Sequence, residues 1–210
     1  MSILIALKGF TLGLSMIIPI GAQNAMVLNQ GINRNHHLVV ATICALADIL
    51  LVTLGVLGGS FILASNNLMF NILTWGGILF LIGYGISSFK AALLLTNDES
   101  TQPVPTYKSL KIVVFSALAV TFLNPHVYID TVMVLGSVGG QFKTIDQFYF
   151  IGGTITASIV WFFSLAVAAA KLSHILARPK VKRIIDIGIA IIMWIIAASL
   201  FERWFDRFFN

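Results

Sequence analysis

Charge is what this chain has least of. Of 210 residues, 13 are Lys or Arg and 8 are Asp or Glu, so charged side chains make up 10% while hydrophobic ones reach 58%. So few charges cannot coat a water-soluble fold of this size, and a mean hydropathy of +0.95 points to an integral membrane protein. Cysteine is nearly absent too. The single Cys44 excludes an internal disulfide, a thiol relay and a Cys-rich metal motif. No two histidines stand at helical spacing with a glutamate, which removes the zinc metalloprotease among membrane enzymes. Proline occurs 5 times, and two of those positions organise the chain.

Uncharged or nearly uncharged stretches run Gly9–Asn33, Leu38–Ala64, Ser65–Phe89, Ile112–Phe142, Gln147–Ala170 and Ile184–Phe201. Each is near or above the ~20 residues that cross a hydrocarbon core. Six spans are therefore expected, the sixth reaching back toward Val181, with loops too short for any soluble domain. The first stretch is too long for a cleavable signal and holds Pro19, Gln23 and Asn24, so it is expected to stay in the mature protein. Connections one–two, three–four and five–six carry Arg34, Lys90, Lys108, Lys111, Lys171, Arg178, Lys180, Lys182 and Arg183; the opposite face carries Lys8, Lys143, Arg203 and Arg207. That asymmetry puts the first set in the cytoplasm and both termini outside. The alternative is five spans with the N-terminus inside. A net charge of +5 spread over loop ends suits anionic headgroups rather than nucleic acid.

Two of the apolar stretches are interrupted. The first reads Ile18-Pro19-Ile20-Gly21-Ala22-Gln23-Asn24, the second Asn124-Pro125-His126-Val127-Tyr128-Ile129-Asp130. Proline lacks a backbone donor and clashes with the preceding turn, so each span should split into half-helices at Pro19 and Pro125. The freed backbone groups cannot face lipid and must line a protein-walled cavity. Aligning Pro19 with Pro125 sets Asn24 opposite Asp130, and Thr74-Trp75-Gly76-Gly77 falls near Asp186-Ile187-Gly188-Ile189 once the offset grows from 106 to 112. Three spans per half force the halves into opposite orientations. The expected fold is an all-α membrane protein of two inverted three-helix repeats, 1–95 and 108–210, joined by a cytoplasmic linker at 96–107.

Intramembrane carboxylates are costly and by default functional. Asp48 is the one ionisable group deep in the second stretch, ~15 Å along the helix, and is read as functional rather than as a protonated structural acid. Asp130 follows the second break, where a half-helix N-terminus favours a carboxylate, and is read the same way. Asp186 follows Lys182 and Arg183 at ion-pair spacing and is read as structural. Gln23, Asn24, Asn124 and Tyr128 add polar groups around the breaks. His126 could relay protons or could partner loose carbonyls, and the residues leave both open. Trp75, Trp161 and Trp194 read as packing or interface residues, and Gly55, Gly58, Gly59, Gly76, Gly77, Gly83 and Gly85 as close helix contacts.

The stretches from Pro19 to Ala25, Asn29-Gln30-Gly31, Thr74-Trp75-Gly76-Gly77, Asn124 to Thr131 and Leu135-Gly136-Ser137 resemble the LysE-type basic amino acid exporters, most closely their arginine-exporter branch. The resemblance covers essentially the whole chain, with Asn-Pro-His-x-Tyr-x-Asp the most specific piece. One departure is Ala22, where that branch often has proline. The resemblance implies a bacterial inner-membrane carrier that exports L-arginine, L-lysine or toxic analogues and is driven by protons. The residues agree on substrate charge. Half-helix N-termini after Pro19 and Pro125 offer N–H groups to an α-carboxylate, while Asp48 and Asp130 offer anionic partners. Asp48, Asp130, Asn24, Gln23, Asn124 and Tyr128 are thus the substrate-binding candidates, Asp48, Asp130 and His126 the proton-coupling candidates, and Pro19, Gly21 and Pro125 the breaks. The partners expected are a cationic amino acid, protons and membrane lipid, with no cofactor, metal site or nucleic acid, and a homodimer stays open. The competing transport reading is a divalent metal exporter, which needs several oxygen ligands converging.

Overall fold

Pro19 has no N–H to give to the turn before it, and the first helix stops short of it. Helix α1 runs Ser2–Ile17, and the Ile18 amide makes the last helical bond, to the Leu14 carbonyl at 2.9 Å. Gly21 is extended at φ −114° and ψ −174°, and α2 (Ala22–Ile32) begins immediately after it. The two helices meet at 77°. In this computed structural model, which describes residues 2–19, 21–59, 67–94, 109–123, 127, 131 and 134–209, the chain continues as α3 (His37–Leu54), extended by a π-helical turn at Gly55–Gly59. Then follow α4 (Asn67–Leu94), α5 (Leu110–Phe122), the single turn α6 (Gly136–Gly139), α7 (Thr144–Lys171), the short α8 (Ser173–Leu176) and α9 (Pro179–Phe209).

The segments His37–Leu57, Thr74–Leu94, Thr144–Lys171 and Pro179–Asp206 are each long and apolar enough to cross a membrane, and the bent pair α1–α2 adds a fifth if taken as one span. Large apolar side chains such as Ile3, Leu79, Phe115, Ile145 and Ile184 point outward, as a lipid-facing surface requires. This is a multi-pass membrane protein. Helix α9 runs past the expected Ile184–Phe201 at both ends, because hydropathy marks the lipid-buried stretch and not the helix around it. The expected fourth span is described only through α5, Val127, Thr131 and the residues from Val134 onward. Its break at Pro125 and the linker 96–107 lie outside the described residues.

Helix contacts set the register. Gly153 faces Ala6, Gly13 faces Thr154, and Gly31 packs on Ala169, while Asn24 meets Trp161. Residue numbers rise together, so α1 and α2 follow α7 in parallel along its length. In the same sense, α3 and its π turn follow the chain after α5: Cys44 meets Thr121, Leu51 meets Val127 and Gly55 meets Gly136. Helices α4 and α9 run antiparallel, with Trp75 on Phe201 and Trp194 against Gly85. The closest approaches are glycine contacts the composition did not single out. A Cβ on Gly153 would lie 1.9 Å from the Ala6 carbonyl oxygen, and one on Gly9 would lie 2.2 Å from that of Phe150. Gly83 corrects the expectation made for it: it faces outward, and a Cβ there would meet nothing within 4 Å.

Arg34 closes one end of the bundle. It sits in a left-handed turn with φ 49°, and its Nε donates to the Ala170 carbonyl at 3.1 Å and to Ser173 Oγ at 2.8 Å. The parallel and antiparallel registers bring Lys90, Lys111, Lys171 and Lys182 to this same end, whereas Lys8 and Lys143 lie at the other.

Candidate functional site

Two buried clusters flank the break in the first span. One gathers Met26, Val27, Val40, Cys44, Val120, Phe162 and Met193 from α2, α3, α5, α7 and α9. The other gathers Ile5, Val52, Val56, Leu135 and Phe150. Between them lies a cavity of about 210 Å³ whose polar wall is Gly21, Gln23, Asn24, Asp48 and Thr131, with Met16, Ile17, Pro19, Ala22, Val127, Leu135, Phe162 and Ile196 completing it. That is below the ~300–1,000 Å³ of common ligand sites, so a bound molecule must fit closely.

Asp48 is buried at 3% exposure, eleven residues into α3. The Ser158 hydroxyl donates to its Oδ2 at 2.7 Å, so one carboxylate oxygen is fixed from α7. Asn24 spends its amide on the break. Its Nδ2 donates to the Ile17 carbonyl at 2.6 Å and the Pro19 carbonyl at 2.9 Å. Trp161 Nε1 in turn donates to Asn24 Oδ1 at 3.0 Å. Carbonyls opened by the proline thus find donors without water, as the membrane interior demands. Gln23 reaches across to α5, its Nε2 donating to Thr121 Oγ1 at 3.0 Å. At the start of α2 no side chain caps the helix, and Gly21 supplies its carbonyl to the Ala25 amide at 3.0 Å. The Ala22, Gln23 and Asn24 amides precede the first intrahelical donor and border the cavity.

Asn24→Ala should cost about 1–3 kcal/mol, because it strands the Trp161 N–H and two carbonyls in an apolar setting. Thermal unfolding of the purified protein in detergent reads this directly, and an unchanged midpoint would mean these bonds hold nothing.

The sequence profile of the family described as LysE type translocator matches residues 14–203. The chain belongs to the LysE type translocator family. Among curated relatives, a protein of Aeromonas salmonicida with the provisional name amino-acid transporter YggA is 49% identical over 194 residues, covering 92% of this chain and 94% of the relative. The arginine exporter proteins ArgO of Salmonella paratyphi A and Salmonella typhimurium are each 45% identical over 193 residues, 92% of this chain and 91% of theirs. No solved structure matches.

In this LysE-type chain, the cavity brings together Pro19, Gly21, Gln23, Asn24 and Asp48, all named from the sequence. Asn124, Pro125, His126, Tyr128 and Asp130 lie outside the described residues. Asp186 is buried and pairs with Lys182 Nζ at 3.5 Å, one turn away, the geometry expected of a structural acid. Ser158, Thr121 and Trp161 are the polar residues that sequence reasoning missed or read as packing. For Ser158 a signal existed: it stands 110 residues after Asp48, within the 106–112 offset between the proposed repeats.

Proposed function

We propose that this chain is a secondary transporter that carries basic amino acids, L-arginine and/or L-lysine with their toxic analogues, out of the cytoplasm in exchange for protons. The observation that carries this reading is Asp48, buried on the same cavity as the uncapped start of α2. An amino acid brings a carboxylate and at least one cation. The free amides and positive dipole end of α2 favour the carboxylate. Asp48 favours the cation, with Oδ2 held by Ser158 and Oδ1 assigned to substrate. A guanidinium fork suits a carboxylate better than a point charge does, in keeping with the relatives named as arginine exporters. Among the described residues no three His, Cys, Asp or Glu side chains converge, so metal export gains no support there.

The helix pairings favour two inverted repeats, 1–95 and 108–210, around a linker at 96–107. An axis exchanging the halves would carry α1–α2 on α7 into the chain after α5 on α3, and would leave the α3–α7 and α4–α9 pairs in place. Asp48 and Ser158 would then meet near that axis. With α5 and the chain up to Phe142 as a fourth broken span, the count reaches six. Both termini are then periplasmic in a bacterial inner membrane, and the Arg34 end is cytoplasmic.

A +1 substrate leaving against an inside-negative potential costs ~2.3 kcal/mol per 100 mV. One incoming proton cancels that term. The same carboxylate cannot hold substrate and proton together, which supplies the coupling: Asp48, or Asp130 beyond the second break, returns protonated when the site is empty. His126 is the neighbouring relay candidate.

Everted vesicles test both parts. Labelled arginine or lysine should accumulate inside them, and an acid-inside gradient should speed accumulation severalfold. Uptake no greater than in vesicles lacking the protein rejects the substrate. Uptake indifferent to the gradient rejects the proton.

A further inference from the structure

Three elements converge on one buried hydroxyl. Thr121 is fully buried in the last turn of α5, and the next residues in sequence, Phe122 and Leu123, precede Asn124-Pro125. From the first break, Gln23 of α2 donates its Nε2 to Thr121 Oγ1 at 3.0 Å, across 98 residues of sequence. From α3, the Cys44 thiol lies in hydrogen-bonding reach of the same hydroxyl. We infer that Thr121 is a positioning residue that ties the start of α2 to the end of α5 so that the two move as one unit. The inference rests on the transporter reading given above.

The physical case is one of substitution. A threonine hydroxyl has one donor and two acceptor sites, enough to serve Gln23 and Cys44 together. A fully buried hydroxyl in a membrane interior that loses its hydrogen-bond donor finds no water to replace it. The Gln23–Thr121 bond is therefore retained as α2 shifts. Gln23 also lines the cavity and lies in the first turn of α2, where substrate is proposed to act. A displacement of α2 on loading or unloading is passed to the end of α5. Without the tie, α2 and the end of α5 would move independently, and the return stroke would no longer follow the outward one.

The test uses the full chain in liposomes. Thr121→Val keeps the branched shape and removes the hydroxyl, whereas Thr121→Ser keeps the hydroxyl. Arginine binding is followed by tryptophan fluorescence. Exchange of labelled arginine at equal concentrations on both sides requires reorientation but no driving force. Thr121→Val should bind arginine within about twofold of the native chain yet exchange it about tenfold more slowly, an effect of the size seen along coupling networks. Thr121→Ser should restore most of the exchange. Native exchange by Thr121→Val overturns the inference. A parallel fall of binding, exchange and unfolding temperature also overturns it, since that is what lost packing does.

A substrate-free measurement separates this failure from failure of the transporter reading. A reporter placed by Leu123→Cys is modified with a maleimide, with and without Gln23→Ala. The rate should change about threefold or more when Thr121 is present and stay constant with Thr121→Val, as coupling through a shared partner requires. The same response with and without the hydroxyl, or none in either, overturns the tie. If the native chain moves neither arginine nor lysine, the proposed function falls, and this measurement still decides Thr121.

Discussion

Asp48→Asn should lower export of labelled arginine by about a hundredfold or more, with the protein still inserted at its normal level. The amide keeps the shape of the carboxylate, and its oxygen can still accept the Ser158 hydroxyl that now bonds Oδ2. What is lost is the charge. Leaving a buried cation without its partner costs ~2–5 kcal/mol, which spans roughly thirty-fold to several thousand-fold in affinity. Where Asp48 is the proton carrier, residual flux should also no longer respond to an imposed pH gradient, whereas a retained response assigns the proton to Asp130. Export measured in cells, normalised to immunodetected protein, is sufficient. A normal rate in Asp48→Asn would remove this residue from the site. The same outcome is expected for Asp130→Asn, on the sequence argument alone.

The second large effect is one of packing. In Gly153→Ala the new methyl would stand 1.9 Å from the Ala6 carbonyl oxygen and 2.8 Å from its carbon. Both are backbone atoms, so no side chain can swing away and α1 must lift off α7. Overpacking of this kind costs about 1–3 kcal/mol and sometimes more, and here the whole seam from Gly9 to Thr154 is disturbed. Most of the protein should fail to accumulate, and the remainder should unfold several degrees lower in detergent. Gly152→Ala is the matched control. Nothing lies within 4 Å of a Cβ at Gly152, and alanine is the better helix former by up to ~1 kcal/mol. Equal unfolding temperatures for Gly153→Ala and the native chain would show that the seam gives way freely.

The contrast between these residues explains what could be read in the chain before its structure. Asp48 and the Pro19 break stand out in the sequence because a bilayer penalises a carboxylate or an open carbonyl wherever it occurs. The penalty is local, so the signal is local. Ser158, Thr121 and Trp161 carry no such penalty, and each bonds a partner 98 to 137 residues away. Asn24 shows the difference within one residue. Its depth marked it as polar and central, but only the bonds to Ile17, Pro19 and Trp161 assign its amide to the break. Long helices were legible from hydropathy, whereas their register was not. Small residues are common in every membrane helix, and nothing in composition separates Gly153, pressed on α7's neighbour, from Gly83, which faces outward.

The parallel seating of α1 and α2 on α7 bears on how the protein is made. Thr154, whose hydroxyl reaches the Gly9 carbonyl, is 145 residues downstream of it, and Trp161 is 137 residues downstream of Asn24. At a synthesis rate of ~5–20 residues per second, the first segment waits roughly 7 to 27 seconds for the helix it rests on. Throughout that interval the interrupted backbone is in place without α7 to seat it. Asn24 is already present, and its Nδ2 reaches both the Ile17 and Pro19 carbonyls with no help from any later residue. The nascent chain is therefore born with its own stopper for the gap, and Trp161 arrives afterwards to fix that stopper in place.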